Sequence, residues 1–127
     1  MKQYIMALDA GTTSSRCILF DKKGQILSIS QKELTQYFPE EGWVEQDAEE
    51  IWSTQLETAR EAMAKLGAAA EDIAAIGIAN QRETAIVWDK KSGKPISPAI
   101  VWQCRRTEAY CDELKKKDLT KVIREKT

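Results

Sequence analysis

Short apolar runs separated by polar turns open the chain, and a helical period follows them. Tyr4-Ile5-Met6-Ala7-Leu8 and Cys17-Ile18-Leu19-Phe20 are continuous apolar runs of strand length, the pattern of buried strands. Asp21-Lys22-Lys23-Gly24 predicts a turn, and residues 25–33 alternate apolar and polar before ending in charge, as a half-exposed antiparallel strand does. A three-stranded meander is expected. Residues 36–46 hold Tyr37, Phe38, Pro39, Gly42 and Trp43 and read as a loop with aromatics to bury and no chemistry beyond packing. A helix starts at Asp47, with Glu50 placed to complete an Asp-x-x-Glu capping box. Its Trp52, Leu56, Ala59, Met63 and Leu66 recur at helical spacing as one core stripe, and Gly67 ends it.

Residues 73–79 form a small-residue strand, expected parallel to the first because a helix intervenes. Residues 84–89 and 99–102 read as further strands. A helix is predicted over 105–117 with Tyr110 and Leu114 inward, and a shorter one over 118–127. The order of elements gives an α/β domain with a mixed sheet.

Composition narrows the function classes. With 127 residues the chain makes one small domain. Its 19 basic and 20 acidic residues nearly cancel, so nothing in the charge points to nucleic acid or an anionic membrane. No apolar run is long enough to cross a bilayer. The amino terminus enters a strand at once, without a signal-peptide pattern. Cys17, Cys104 and Cys111 are an odd set without C-x-x-C spacing, which predicts reduced thiols, a cytoplasmic location and no zinc site. The absence of histidine excludes histidine triads, bases and metal ligands.

Two places carry candidate chemistry. Between the first two runs lies Asp9-Ala10-Gly11-Thr12-Thr13-Ser14-Ser15-Arg16. Gly11 permits close backbone approach, and hydroxyls with successive N–H groups form a concave donor set suited to phosphate oxygens. Arg16 adds a cation. Asp9 could hold Mg²⁺, directly or through water, since that ion takes one or two carboxylates plus phosphate oxygens. The same run also suits an ordinary polar hairpin turn. It is not a Walker A loop: no GK[ST] and no following helix is present. The second place is Asn80-Gln81-Arg82-Glu83, at the carboxyl end of the strand over 73–79, where ligands sit in open α/β sheets. Arg82 and Glu83 together can donate to and accept from vicinal hydroxyls, and Trp102 offers an apolar face. A surface ion pair and a core tryptophan are the plainer alternative.

The Asp9–Arg16 pattern resembles the first phosphate motif of the FGGY carbohydrate kinases, in the glycerol-using branch. Residues 37–47, Asn80-Gln81-Arg82-Glu83-Thr84 and Ile100-Val101-Trp102-Gln103-Cys104-Arg105-Arg106 resemble later motifs of that branch, in order. Ala10 departs from it, standing where Gln is usual; the backbone cradle is unaffected. The resemblance implies a ribonuclease-H-like domain of the actin/hexokinase-type ATPases and ATP-dependent phosphorylation of glycerol to glycerol 3-phosphate. It implies that Thr12, Thr13, Ser14 and Arg16 face the nucleotide phosphates, that Arg82 and Glu83 bind glycerol hydroxyls and that Trp102 packs on its carbons. It also implies that the catalytic base and the adenosine-binding domain lie beyond Thr127. Residues 1–127 are then a single incomplete domain, truncated at its C-terminus, inactive alone and prone to self-association. A sugar or longer-polyol kinase, a chaperone-like or filament-forming ATPase, and a non-catalytic interaction module are the competing readings.

Overall fold

The computed structural model describes residues 3–127. Strands β1 (Tyr4–Ala10), β2 (Ser14–Phe20) and β3 (Ile26–Glu33) form the expected antiparallel meander. Helix α1 (Ala48–Leu66) then crosses one face, and β5 (Ile73–Ala79) returns parallel to β1. The four-stranded sheet has the order β3-β2-β1-β5. A two-stranded sheet pairs β4 (Glu45–Gln46) with β6 (Ala99–Ile100). Helices α2 (Glu108–Lys116) and α3 (Thr120–Lys126) follow, and neither has a fully buried residue.

The core lies between α1 and the sheet. Met6, Cys17, Leu19 and Ala62 are buried together, with Leu8, Ala59, Met63, Leu66 and Ile73 packed around them. Ala59, Met63 and Leu66 of the predicted stripe pack on this core, but the buried centre of the face lies beside them and Trp52 falls outside it. Thr58 and Ala62 are its buried residues, while Trp52 is 64% exposed. Small side chains let the helix sit close to the sheet, and their hydroxyls carry no penalty because each is bonded. Thr54 Oγ1 donates to the Glu50 carbonyl at 2.7 Å and Thr58 Oγ1 to that of Gln55 at 2.9 Å. Close approach outweighs the burial of one large aromatic, and Trp52 lines a groove with Ile86 and Trp88 instead.

The helix ends follow their residues. The Asp47 carboxylate accepts from the Glu49 N–H at 2.9 Å, and Gly67 closes the C-terminus at φ +67°. The reciprocal half of the capping box does not form: Glu50 Oε1 accepts from the Thr35 N–H and hydroxyl, tying the chain after β3 to α1. Residues 84–89 are not a strand. They make single bridges, Ala85 to Ile100 and Trp88 to Pro95, because Pro95 and Pro98 leave no continuous ladder to join. Tyr110 is 62% exposed, against the inward placement expected, because no sheet lies beneath α2; Leu114 is half-buried.

Candidate functional site

The β1–β2 link is tighter than its sequence reads. Ser14 and Ser15 already belong to β2, with Ala10 opposite Ser15 and Asp9 opposite Arg16. Only residues 11–13 form the bend. Ser15 is fully buried and its hydroxyl bonds that of Thr54 at 3.0 Å, so it is a packing group and not part of a phosphate cradle. Arg16 is likewise a strand residue: its Nε donates to Gln31 Oε1 on β3 at 2.9 Å. Polar residues are tolerated there because β2 is paired on both sides, so its backbone is satisfied whatever the side chains.

Gly11 closes the bend by donating its N–H to the Ser14 carbonyl at 2.9 Å. A Cβ at Gly11 would meet that oxygen at 2.8 Å, so the position excludes any side chain while the bend keeps this form. Thr12 is held at both ends. Its carbonyl accepts from the side-chain amides of Gln36 and Gln46, and its hydroxyl accepts from the Trp102 indole N–H at 3.0 Å. Gln46 is buried and also donates to Gln36 Oε1 at 3.0 Å. These glutamines lie in the stretch read above as packing alone. The signal was two amides flanking an aromatic loop, and no spacing rule ties such groups to a bend more than twenty residues earlier.

Three chain segments meet around a cleft of about 380 Å³. Ala10, Gly11 and Thr12 form one wall, Asn80 to Glu83 another, and Trp102 the third. Thus Thr12, Arg82, Glu83 and Trp102 share one cavity, reached because β5 runs parallel beside β1 and delivers its carboxyl end next to the bend. Thr13, Ser14, Arg16 and Asp9 do not line it. Thr13 is exposed at the bend, while Ser14 and Arg16 lie in β2. Asp9 sits mid-sheet, opposite Arg16 on one side and Ala79 on the other.

The polar wall is poised for a ligand. Arg82 and Glu83 are exposed, and neither makes an ion pair among the described residues, so the plainer surface-pair reading does not apply. Glu83 is held at φ +56°, a left-handed conformation disfavoured for a side chain of its kind. Gln81 has both side-chain polar atoms buried without a partner. Among the described residues no group of three or more His, Cys, Asp or Glu gathers as a metal cluster.

A small charged knot follows Trp102 in the chain. The Arg106 guanidinium stacks 3.8 Å from the Trp43 ring centre and pairs with Glu45 at 2.6 Å, both side chains being largely buried. Its Nε also donates to Cys104 Sγ at 2.9 Å. Burial pushes the Cys104 thiol up, but the Arg106 hydrogen bond and charge, with backbone N–H donors, carry it net below the usual range. A larger groove of about 520 Å³ between Tyr37 and Pro98 lacks such free chemistry: its Glu45 is paired with Arg106 and its Asp47 caps α1.

All three cysteines are free thiols. No helix is long and apolar enough to cross a membrane, among the described residues.

Comparison with known proteins agrees with this geometry. Residues 4–127 match the model of the FGGY family of carbohydrate kinases, N-terminal domain. Glycerol kinase of Agathobacter rectalis is 67% identical over 127 residues, covering all of this chain and 26% of that protein. A crystal structure of Plasmodium falciparum glycerol kinase with ADP superposes with a TM-score of 0.80 at 31% identity, over 90% of this chain and 23% of that one. Gluconate kinase from Lactobacillus acidophilus shares the fold, with a TM-score of 0.85 at 22% identity over 94% of this chain and 24% of that one. The chain spans about a quarter of the length of the curated relatives it matches. Matched across residues 4–127, and carrying the expected meander, crossover helix and parallel strand, the chain belongs to the FGGY family of carbohydrate kinases.

Proposed function

We propose that the chain is the N-terminal part of an ATP-dependent glycerol kinase, which phosphorylates glycerol to glycerol 3-phosphate. The observation that carries this reading is the single cleft in which Gly11 and Thr12 face Arg82, Glu83 and Trp102. Identity of 67% over all 127 residues of this chain to a protein named glycerol kinase supports it. Residues 1–127 form one incomplete domain of that enzyme.

The roles follow from the side chains. The Gly11 bend brings backbone close to the phosphates, with the Thr12 and Thr13 hydroxyls at its tip. Ser14 and Arg16 approach from β2; the Arg16 Nε is held by Gln31, which leaves its Nη groups to meet a phosphate. Glu83 accepts from polyol hydroxyls, Arg82 donates to the same oxygens, and the Trp102 ring covers the carbons. Phosphoryl transfer is mostly positioning and charge stabilisation, so holding polyol and phosphate in one cleft supplies much of what is needed. None of the residues given a role here is assigned to take the hydroxyl proton.

Asp9 is a lone carboxylate two residues before the bend. One carboxylate fits Mg²⁺, whose remaining ligands come from water and phosphate oxygens. Mg²⁺ held there with ATP would supply charge neutralisation to the phosphates.

ADP release by the full-length enzyme with glycerol, compared with pentoses and longer polyols, tests the reading. Turnover confined to glycerol supports it, and preference for a sugar shifts the assignment to a sibling kinase. Residues 1–127 alone turn over nothing. They self-associate through the β5 edge, where Ile76 and Ile78 are 57% and 75% exposed. A strictly monomeric light-scattering result at high concentration contradicts that part.

A further inference from the structure

We infer that the Trp102 indole N–H is a positioning group for the nucleotide, linking the polyol and phosphate sides of the cleft through Thr12. This rests on the glycerol kinase reading and gives Trp102 a second task besides covering carbons. The Trp102 Nε1 to Thr12 Oγ1 bond, at 3.0 Å, joins residues ninety apart in sequence. A threonine hydroxyl has one proton to donate and two lone pairs to accept with. Indole N–H donates only, so the Thr12 oxygen is necessarily the acceptor here. With one lone pair engaged by Trp102, the Thr12 rotor is restricted and its proton is directed away from the indole.

The rest of Thr12 cannot drift to compensate. Gln36 and Gln46 clamp its carbonyl, and the Gly11–Ser14 bond fixes the bend beside it. Only the hydroxyl orientation remains free, and Trp102 sets it. The hydroxyl thereby meets an anionic oxygen as a pre-set donor, without an ordering step at binding. A polyol pressing on the Trp102 ring steadies the same indole, so occupation of one side strengthens the other, reciprocally.

The test measures binding of ADP and of glycerol to the full-length enzyme by calorimetry, for wild type, Trp102→Phe, Thr12→Val and the double variant. Trp102→Phe keeps an aromatic face, smaller than the indole, and removes the donor. Without glycerol present, it is expected to raise the ADP Kd about three- to tenfold, the range of one ordinary hydrogen bond. The double variant is expected to show no further loss beyond Thr12→Val. An unchanged ADP Kd in Trp102→Phe, or additive losses in the double variant, overturns the inference while leaving the kinase reading intact. Wild-type protein that binds neither glycerol nor ADP defeats the kinase reading itself. Should Trp102→Phe fold poorly, the wild-type indole N–H resonance of Trp102 decides. It shifts on addition of ADP alone if the inference holds, and stays in place if it does not.

Discussion

Replacing Gly11 by Ala is the sharpest perturbation of the bend proposed to bind phosphate. The added Cβ would stand 2.8 Å from the Ser14 carbonyl oxygen, closer than such carbon–oxygen contacts occur, and 3.8 Å from Ser14 Oγ. The contact is with backbone, so no side-chain rotation relieves it. One route keeps the bend and accepts overpacking strain of about 1–3 kcal/mol. The other opens the 2.9 Å Gly11–Ser14 hydrogen bond, which costs about 1 kcal/mol, and displaces the bend by a few tenths of an ångström. The second route is cheaper, so the loss in stability should lie near 1–2 kcal/mol. The displacement falls on Thr12 and Thr13, the residues proposed to hold the phosphates. Losing one charge-assisted bond weakens ADP binding roughly tenfold or more. Urea denaturation and ADP titration of the full-length enzyme measure the two effects. Gly77→Ala is the control, since a Cβ there meets nothing within 4 Å. Gly11→Ala with wild-type stability and wild-type ADP affinity refutes the reasoning.

Four further outcomes are expected. Glu83→Gly relieves the φ +56° strain and stabilises the ligand-free protein by about 1 kcal/mol, yet weakens glycerol binding roughly tenfold or more; thermal melts and calorimetry read both. Gln46→Leu removes one of the two donors to the Thr12 carbonyl and the donor to Gln36 Oε1, and should destabilise by about 1–3 kcal/mol in chemical denaturation. Arg106→Ala leaves Glu45 unpaired and Trp43 unstacked; a loss of about 2–3 kcal/mol is expected, below the value for a fully buried pair because both side chains keep some exposure, and Arg106→Lys should not restore it. The Ser30 hydroxyl and then Lys32 hold the Glu61 carboxyl below its usual range, so this network stabilises the fold above the ordinary carboxylate pKa and is lost as pH falls through the lowered value; Glu61→Gln should flatten the acid limb of a stability-against-pH curve.

What was legible in the sequence was whatever local pattern determines. Continuous apolar runs gave β1 and β2, the Asp47 cap and Gly67 bounded α1, and an intervening helix gave the parallel pairing of β5. The convergence of Thr12 with Arg82, Glu83 and Trp102 was also foreseeable, because the carboxyl end of β5 had to arrive beside the β1 bend. The burial of Thr58 and Ala62 at the centre of the α1 face, with Trp52 left out, was not. It depends on how near Thr58 and Ala62 can come to Cys17 and Leu19, a matter of shape across the interface that helical spacing does not encode. The reach of β2 back to Ser14 was hidden because ladder pairing on two sides overrides the turn preference of serine. The Gln36 and Gln46 clamp on Thr12 was hidden for a related reason: side-chain amides bond wherever the fold delivers a carbonyl, and their spacing carries no signature.

A crystal structure of the full-length enzyme with glycerol and a non-hydrolysable ATP analogue is the most direct measurement. The polyol is predicted between Arg82, Glu83 and the Trp102 ring, with a terminal hydroxyl about 3–3.5 Å from the γ-phosphorus and the phosphates on the Gly11–Thr13 bend. Glycerol seated away from Arg82 and Glu83, or phosphates bound on a face that does not share the cleft with Thr12, contradicts the shared-site claim.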